Sequence, residues 1–356
     1  MKSTAMRITA LVATAATAVA LAGCTTTGAA SESEGTIALL LPESQTARYE
    51  AFDRPIFEER VAALGDFDVL YSNADQDAAK QQQQAEAALT AGAEVLVLDP
   101  VDAQAAVSIV ETANAEGIPV VSYDRLVAGG ELAYYISFDN EQVGVLQGET
   151  LVAALDADGA TGGILMVNGS PTDGNAALFK AGAHSVIDDS GYTVLAEFDT
   201  PDWSPENAQQ WVAGQLTQFE GQISAIYAAN DGTGGGAIAA LKAANVSPLP
   251  LVTGQDAELA GIQRIVAGDQ FMTIYKAIRA EAELAAEIAV ALLRGETVEG
   301  DTTVDGTPST LLTPVVVTVD NILDTVVADG FYTAEQICTA EYADACAAAG
   351  VCVTWR

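Results

Sequence analysis

From residue 36 onward, the chain alternates short apolar runs with longer stretches of helical periodicity, and this alternation limits the possible folds more than any other feature. The apolar runs are rich in Val, Ile and Leu and carry no polar face, which is typical of strands buried on both sides of a parallel sheet. Strands that alternate with helices predict βαβ units with right-handed crossovers. The strands are too many for one modest sheet, so the sequence predicts an α/β protein of two doubly wound lobes with parallel-sheet cores.

The predicted elements fall into two groups along the chain. In the first group, strands are predicted at 36–41, 67–71, 94–98, 118–122 and 134–138, with helices ending near 64 and spanning 76–91 and 102–116. In the second group, strands are predicted at 163–167, 193–197, 223–228, 249–253 and 271–274, with helices near 140–155, 175–187, 205–219, 237–244, 257–267 and 277–293. A chain of 356 residues is long enough for two lobes with a core each.

The charge of the chain argues against several classes of partner. Asp and Glu number 49 against 14 Lys and Arg, which gives a formal net charge of −35. Nucleic acids and anionic membrane surfaces bind clustered cations, of which this chain has few. Half of the residues are hydrophobic, which argues against disorder. The single histidine, His184, lies in a predicted helix, where we expect a structural or exposed role.

The first residues have the pattern of an export signal. Lys2 and Arg7 precede an apolar run, 8–21, that is shorter than the about 20 residues of a membrane-spanning helix. The sequence Leu-Ala-Gly-Cys that ends at Cys24 resembles the bacterial lipobox, which implies cleavage before Cys24 and a lipid on its thiol. An ordinary signal peptide with an incidental cysteine is the alternative. We therefore expect a signal peptide at 1–23 and a flexible tether at 24–34.

Three further cysteines, Cys338, Cys346 and Cys352, lie near the C-terminus. An exported protein meets an oxidising environment, so a disulfide is expected, and Cys338 with Cys346 would close a small loop. The sequence alone does not choose the pairing, because three thiols leave one over. Their spacing matches no zinc-binding pattern, so we favour a structural disulfide and predict no metal.

Polar side chains cluster just after the predicted strands, where open parallel sheets bind their ligands. The set mixes carboxylates, amides and guanidinium groups and consists of Arg48, Asp124, Arg125, Asp173, Asn175, Asn230, Asp231, Gln255 and Asp256. Two aromatic residues, Tyr49 and Trp203, stand beside it. The set contains no nucleophile–base pair, so we predict a binding protein without a cofactor and not an enzyme.

This mixture of side chains suits a neutral polyol. A sugar hydroxyl both donates and accepts hydrogen bonds, and Asp accepts, Arg donates in a rigid fork and Asn does both. An aromatic face covers the apolar C–H side of a pyranose ring. Buried Asp and Arg balance each other's charge when the ligand has none.

Seven ordered motifs resemble the bacterial solute-binding proteins of the type 1 periplasmic fold, and within them the branch that binds D-xylose and related aldoses. The resemblance runs from about Thr36 to Tyr332. The motifs are Tyr123-Asp124-Arg125, Tyr135-Ile136-Ser137-Phe138-Asp139-Asn140, Gly169-Ser170-Pro171 with Asp173 and Asn175, Trp203-Ser204-Pro205-Glu206-Asn207, Asn230-Asp231, Gly254-Gln255-Asp256-Ala257 and Tyr275-Lys276.

The resemblance implies individual roles for ten side chains. It places the monosaccharide on Arg48, Tyr49, Asp124, Arg125, Asp173, Asn175, Trp203, Asn230, Asp256 and Lys276. Tyr49 stands where the family often has Trp, which keeps an aromatic surface, and Gly174 stands where Asn is common. A helix-capping role is expected for Asp231, and Gln255 is expected to position Asp256.

The resemblance also implies an architecture and a role in transport. The N-terminal lobe would comprise 35–138 and 276–312, the C-terminal lobe 139–275 and 313–332, and a Cys-containing tail would follow at 333–356. Three strands would link the lobes and form a hinge, and a sugar in the cleft would close them. The expected protein is a monomeric lipoprotein outside the cytoplasm that delivers an aldose to the permease and ATPase of an ABC transporter. A sensor for another small polyol or aldose is the alternative.

Three other classes compete with this interpretation. The sequence from Gly232 to Ala237 fits a nucleotide-binding G-x-G-x-x-G/A pattern after a strand, with Asp256 after the next strand. Export and the position of this pattern in mid-chain argue against a nucleotide-binding enzyme. A glycoside hydrolase would need a specific carboxylate pair, for which the number of acids is no evidence. A two-lobed transcription regulator would have a DNA-binding domain where this chain has its signal.

Overall fold

The apolar runs form the strands of two parallel sheets in the computed structural model, which describes residues 33–351. The strands are β1 (Thr36–Leu41), β2 (Asp68–Asn73), β3 (Val95–Leu98), β4 (Val120–Tyr123), β5 (Tyr134–Phe138), β6 (Gly163–Asn168), β7 (Val194–Asp199), β8 (Ile223–Ala228), β9 (Leu251–Val252), β10 (Met272–Tyr275), β11 (Thr302–Val304), β12 (Thr307–Leu312) and β13 (Val315–Thr318). This arrangement confirms the predicted α/β class with parallel-sheet cores.

Helices connect the strands and cover both faces of each sheet. They are α1 (Arg54–Leu64), α2 (Ala78–Thr90), α3 (Val107–Ala115), α4 (Asn140–Asp158), α5 (Gly174–Ile187), α6 (Pro205–Gln218), α7 (Asp231–Ala243), α8 (Leu259–Ala267), α9 (Ile278–Leu293), α10 (Ala334–Ile337) and α11 (Ala343–Ala349). Single helical turns of π or 3₁₀ type form at Tyr49–Asp53, Pro201–Trp203 and Leu323–Val327. Within the described residues, no helix is both long enough and apolar enough to cross a membrane.

The first lobe is built on a sheet in the order β11-β12-β5-β4-β3-β1-β2, parallel except for the β11–β12 pair. Strand β1 shows why its sequence is apolar on both sides. Ile37 and Leu39 enter the core under α1 and α9, whereas Ala38 and Leu40 enter the core under α2 and α3. Each face is therefore sealed by helices, as expected for a doubly wound sheet.

The second lobe is built on a parallel sheet in the order β7-β6-β8-β9. Along β6, Ile164 and Met166 face the core under α4 and α5, and Leu165 and Val167 face the core under α6 and α7. Strand β10 follows and pairs antiparallel with β13. The chain leaves the seven-stranded sheet after β5, returns to it after β10 and leaves it again after β12.

Helices α4 and α5 approach so closely that glycine is required at their contact. A Cβ on Gly144 would lie 2.0 Å from the carbonyl oxygen of Phe179, and one on Gly182 would lie 2.1 Å from that of Glu141. Gly182→Ala is therefore expected to lower the free energy of unfolding by about 1–3 kcal/mol, because rigid backbone must move to admit one methyl group. Urea denaturation measures this change.

Gly214→Ala is the matched control for that prediction. Gly214 lies inside α6, has no atom within 4 Å of its would-be Cβ, and has no positive φ. Alanine there is expected to raise stability by about 0.5–1 kcal/mol, because it removes backbone entropy from the unfolded chain. Equal effects at the two positions would contradict the close helix contact.

The C-terminal segment packs on the second lobe and contains the disulfide. Cys338 and Cys346 are bonded to each other, and Cys346 is fully buried. Cys352 lies outside the described residues, as do the signal peptide predicted at 1–23 and the lipidation predicted at Cys24. Residues 33 and 34 belong to the predicted tether, and the amide of Glu34 donates to the carbonyl oxygen of Asp66.

Two local predictions are wrong. The helix expected at 237–244 begins at Asp231, because Asn230 caps it by accepting a hydrogen bond from the amide of Thr233. The glycines from Gly232 to Gly236 therefore lie inside α7, and a Cβ on Gly236 would meet the carbonyl oxygen of Pro205 at 2.1 Å. Because these glycines lie within a packed helix, they do not form the glycine-rich loop before the helix that would bind a nucleotide phosphate. The apolar pattern predicts no strand at 302–318, where β11, β12 and β13 form, and only the resemblance implies a linking strand near Leu312.

Candidate functional site

All ten side chains expected on the sugar surround one cavity between the two sheets. Its lining also includes Thr46, Phe179 and Gln255, and the atom-free space between these side chains amounts to about 270 Å³, part of it open to solvent. A larger surface groove, with about 2000 Å³ of atom-free space by the same measure, lies away from it, between α6, α7 and the loops before β8 and β9. The smaller cavity is the candidate site, because it gathers the polar groups at the carboxyl ends of the strands.

Local structure explains why these side chains converge. Arg48 and Tyr49 follow β1 at the start of a π-helical turn, Asp124 and Arg125 follow β4, and Lys276 follows β10. On the other side of the cavity, Asp173 and Asn230 cap the N-termini of α5 and α7. Asn175 lies in the first turn of α5, Trp203 ends a 3₁₀ turn and Asp256 follows β9.

Arg48 is held by three carboxylates and is buried. Its Nε and Nη2 donate to Asp53 at 3.0 and 2.6 Å, Nη2 also donates to Glu281 at 2.7 Å, and Nη1 donates to Asp124 at 3.0 Å. Burial alone lowers the pKa of Arg48, but the three acids raise it well above its usual value. The guanidinium therefore stays charged and rigid, with one Nη1–H left for a ligand.

Arg125 is surrounded by a second group of acids. Its Nε lies 2.9 Å from Asp173, Nη2 donates to the Tyr49 hydroxyl at 3.2 Å, and Nη1 donates to the carbonyl oxygen of Pro100 at 3.3 Å. Behind it, Glu43 and Asp99 approach at 3.8 and 3.6 Å and are fully buried. Burial raises the pKa of both acids, and Arg125 only partly offsets it.

Lys276 links the two sides of the cavity. Its Nζ lies 3.1 Å from Asp256 and 4.0 Å from Asp124. Burial lowers the pKa of Lys276, but Asp124 and Asp256 raise it above its usual value, so the ammonium keeps its charge. Burial raises the pKa of Asp124, but Arg48, Lys276 and Arg125 lower it to about 2.

Aromatic rings close the cavity from the side of the second lobe. Trp203 is buried, its Nε1 donates to Asp173 at 3.1 Å, and its ring meets Phe179 edge to face at 6.4 Å. A Cβ on Gly169 would lie 2.0 Å from the Trp203 ring, so only glycine leaves room for the indole there. The indole is therefore fixed by both a hydrogen bond and packing.

Direct contacts join the two lobes around this cavity. The amide of Ala47 donates to Glu258 at 3.2 Å, and the amide of Ala103 donates to the carbonyl oxygen of Thr172 at 3.1 Å. Gln76 Nε2 donates to the carbonyl oxygen of Asp202 at 3.2 Å. These contacts place the structure in a closed arrangement.

Asp231 does not line the cavity but supports the loop that carries Asp256. It is fully buried and accepts hydrogen bonds from Gln270 at 2.6 Å, from the Thr273 hydroxyl at 3.0 Å and from the amide of Glu258 at 2.8 Å. The helix-capping role expected for Asp231 is therefore wrong: Asn230 caps α7, and the Asp231 side chain holds the segment after Asp256 instead. Gln255 Nε2 donates to Asp256 at 3.3 Å, in agreement with a positioning role.

The raised pKa values of two acids beside the cavity, Asp231 and Glu258, predict how the stability of the protein depends on pH. Burial raises the pKa of Asp231 to about 7 and that of Glu258 to about 8, and their mutual repulsion adds to the effect for Glu258. The folded protein thus holds these protons to a higher pH than the unfolded chain does. The free energy of unfolding is expected to fall by several kcal/mol as the pH rises from about 4 to 8.

Thermal unfolding between pH 5 and 8 checks this expectation. Asp231→Asn should flatten part of the slope, whereas Glu111→Gln on the exposed face of α3 should leave it unchanged. A melting temperature of the parent protein that does not vary over this range would contradict the prediction.

Sequence reasoning missed the acids behind the cavity. Asp53 and Glu281 lie inside helical segments and Glu43 and Asp99 lie in loops, so only the fold brings them to the two arginines. Phe179 and Thr46 were also missed, because neither carries a pattern distinct from ordinary core or loop positions. His184 lies elsewhere, on the surface of α5, where it contacts Asp188 and Glu197.

The arrangement can bind but holds no group poised for covalent chemistry. The lining carries three cations, Arg48, Arg125 and Lys276, and three acids, Asp124, Asp173 and Asp256. Each cation lies within ion-pair distance of one of these acids, and four further acids, Asp53, Glu281, Glu43 and Asp99, pair with the two arginines behind the lining. The lining therefore offers no unpaired cation to an anionic ligand. Hydrogen-bonding capacity remains on both sides of the cavity, which suits a neutral ligand with several hydroxyl groups.

Comparison with known proteins agrees with this geometry. Residues 37–297 match the family model of the periplasmic binding protein domain. The D-xylose-binding periplasmic protein of Escherichia coli is 39% identical over 317 residues, which covers 87% of this chain and 94% of the relative. The multiple sugar-binding periplasmic receptor ChvE of Rhizobium radiobacter is 33% identical and covers 85% of this chain and 92% of its own.

A solved structure extends the comparison to the backbone. An ABC transporter solute-binding protein from Clostridium phytofermentans with bound β-D-glucose superposes with a TM-score of 0.78 at 28% identity, and the match covers 85% of this chain and 99% of the other. All three relatives are named as binding proteins or receptors, and the one with a solved structure as the solute-binding protein of an ABC transporter. The family match spans more than half of the chain, and the fold and the cavity agree with it: the chain belongs to the periplasmic binding protein family.

Proposed function

We propose that this protein captures a monosaccharide, D-xylose or a similar aldopyranose, outside the cytoplasm and delivers it to an ABC transporter. The observation that carries the proposal is the paired set of three cations and three acids in a cavity between two lobes. A charged ligand would unbalance this set, whereas a sugar hydroxyl can use the remaining donors and acceptors.

The lining keeps donor and acceptor groups without partners, which can form hydrogen bonds with the hydroxyl groups of a pyranose. One Nη1–H of Arg48, the Nδ2 group of Asn230 and the Oδ2 atom of Asp256 have no hydrogen-bond partner within residues 33–351. Trp203 and Phe179 supply apolar surface for the C–H face of the ring. The D-xylose-binding and multiple sugar-binding relatives support the same class of ligand.

The lobes are proposed to move about a hinge of three strands. The first lobe would comprise 35–138 with 276–312, and the second 139–275 with 313–332, so that the chain crosses near Phe138, Tyr275 and Leu312. Residues from both lobes line the cavity, so a sugar contacts all of them only when the lobes are closed. Differential affinity of this kind is what drives closure.

The N-terminal sequence supports a lipid anchor. We propose that residues 1–23 are removed, that Cys24 is lipidated, and that the monomeric protein works at the outer face of the membrane with a permease and an ATPase. Cys24→Ser should release the protein from membranes into the soluble fraction. Retention of that variant in the membrane fraction would contradict lipidation.

Thermal unfolding of a chain that starts at residue 25 tests the ligand. The described fold is one compact unit that begins at Ser33, so this chain keeps the whole site. A sugar at about 100 times its dissociation constant adds roughly 2.7 kcal/mol of stability, which raises the melting temperature by several degrees. D-xylose and D-glucose are compared with D-glucuronate, whose charge should prevent binding.

The outcomes of this experiment separate the alternatives. A rise with one aldose and none with glucuronate supports the proposal and ranks the sugars. No rise with any aldose would contradict the ligand class and leave another small polar solute. A rise with a nucleotide would revive the enzyme alternative.

A further inference from the structure

Four aromatic rings meet beside the hinge, outside the cavity. Phe331 stacks on Phe52 with ring centres 4.0 Å apart and planes 20° apart. The same ring lies 5.1 Å from the Tyr275 ring and 4.8 Å from the Tyr332 ring. Phe331 is the only one of the four that packs against all the others, so it holds the cluster together in the described part of the chain.

Two of these rings belong to segments that carry residues of the site. Phe52 lies in the turn Tyr49–Asp53, which begins with Tyr49 and ends with the acid that binds Arg48. Tyr275 ends β10 and immediately precedes Lys276. Phe331 therefore contacts the first lobe through Phe52 and the second lobe through Tyr275, close in sequence to groups that line the cavity.

The C-terminal segment keeps Phe331 in place. The hydroxyl of Tyr275 donates to Asp329, and Gln263 of α8 donates to the carbonyl oxygen of Ile337 at 3.3 Å. Val326, Ile337, Cys346 and Val351 are buried in the same core, and the disulfide closes the segment beyond the rings. The segment is thus fastened to the second lobe and reaches the first lobe through the Phe331–Phe52 contact.

We propose that residues 319–351 form a hinge clasp that favours the closed arrangement, with Phe331 as its positioning residue. The clasp holds the turn Tyr49–Asp53, which follows Arg48, against the end of β10, which precedes Lys276. It does so without contacting the ligand. For the effect on sugar affinity, this inference rests on the proposed function. The effect on closure itself does not, because the distance between the lobes can be measured in the sugar-free protein.

Sugar binding tests the clasp with a matched control. Phe331→Ala should weaken the affinity for the sugar that binds the parent protein by about tenfold, mainly through faster dissociation, because the closed state loses its bridge. Phe331→Tyr should restore the affinity. Ile337→Ala removes apolar surface from the same core but leaves the four rings, so it should lower the melting temperature and leave the affinity unchanged. Equal affinities of parent and Phe331→Ala, or equal losses in both alanine variants, would overturn the inference.

A distance measurement tests closure without any ligand. Spin labels at Ala79→Cys in α2 of the first lobe and Gln210→Cys in α6 of the second lobe, both exposed, are attached in a Cys352→Ser chain that starts at residue 25. Phe331→Ala should shift the label distances of the sugar-free protein towards longer values, and Ile337→Ala should not. Unchanged distances in Phe331→Ala would refute the clasp even if the parent binds no sugar. A parent that fails to bind while its distances respond would instead refute the proposed function alone.

Discussion

Arg125→Ala is expected to weaken sugar binding by at least about 100-fold. The change removes a charged donor group from the lining and leaves Asp173, Asp99 and Glu43 buried without their cation. Truncation of one partner of a buried charge pair in a binding site costs about 2–5 kcal/mol of affinity, and a lost hydrogen bond to a buried group costs about 1–3 kcal/mol. Isothermal titration of the variant with the aldose that binds the parent measures the effect.

Two further variants make this result specific. Arg60→Ala removes an exposed arginine that pairs with Glu287, and it should leave the affinity unchanged because exposed ion pairs contribute little. Tyr49→Ala should weaken binding less than Arg125→Ala, since Tyr49 carries no charge and contributes one hydroxyl, which links Arg125 to Asp124, and its ring. A larger loss in Tyr49→Ala would mean that the aromatic surface dominates. An Arg125→Ala variant with the affinity of the parent would remove Arg125 from the site.

Most of the residues that line the cavity could be predicted from the sequence, because they follow a strand or lie at the start of a helix. Runs such as 36–41 and 134–138 are mostly apolar and bounded by polar or glycine residues, and the predicted ends of β1 and β5 coincide with the observed residues. The next polar residues then fall at the carboxyl edge of a sheet, where parallel strands bind their ligands. The positions of Arg125 and Asp256 just after apolar runs therefore predict that both lie at this edge, and both line the cavity.

The support behind these residues could not be predicted in the same way. Glu281 lies inside α9 and belongs to no motif, and its partner Arg48 is 233 positions earlier in the chain. Asp99 precedes a proline and has the sequence context of an ordinary turn, yet it is fully buried next to Arg125. Such pairs depend on which helix covers which face of the sheet, and that information is spread over the whole fold.

Strands β11 to β13 were missed for a related reason. Their sequence, 302–318, contains β-branched residues, but two prolines and the Asp305-Gly306 pair interrupt it, so local propensity favours turns at these points. The pairing of β12 with β5 and of β13 with β10 supplies the stabilisation that the local sequence lacks. Tertiary pairing therefore overrides propensity at the point where the chain leaves the first lobe.

Lys276→Met is expected to reduce both stability and sugar binding, with a loss of about 3–5 kcal/mol in the free energy of unfolding. Lys276 is 2% exposed, and its ammonium is the cation nearest to Asp256 among the described residues. Methionine fills the space of the side chain but leaves the carboxylate of Asp256 buried and unpaired. Urea denaturation measures stability, and titration with the aldose that binds the parent measures affinity.

A double-mutant cycle separates the ion pair from other effects of the substitution. Asp256→Asn combined with Lys276→Met leaves no unpaired charge at Asp256, so the double variant should regain part of the lost stability, with a coupling of about 0.5–3 kcal/mol. Affinity should stay low, because both side chains line the cavity and neither keeps its hydrogen-bonding group. Additive losses of stability would mean that the pair is not coupled in the folded protein. Recovery of stability without recovery of affinity would show that the same two charges hold the site together and bind the sugar, which a purely structural ion pair does not do.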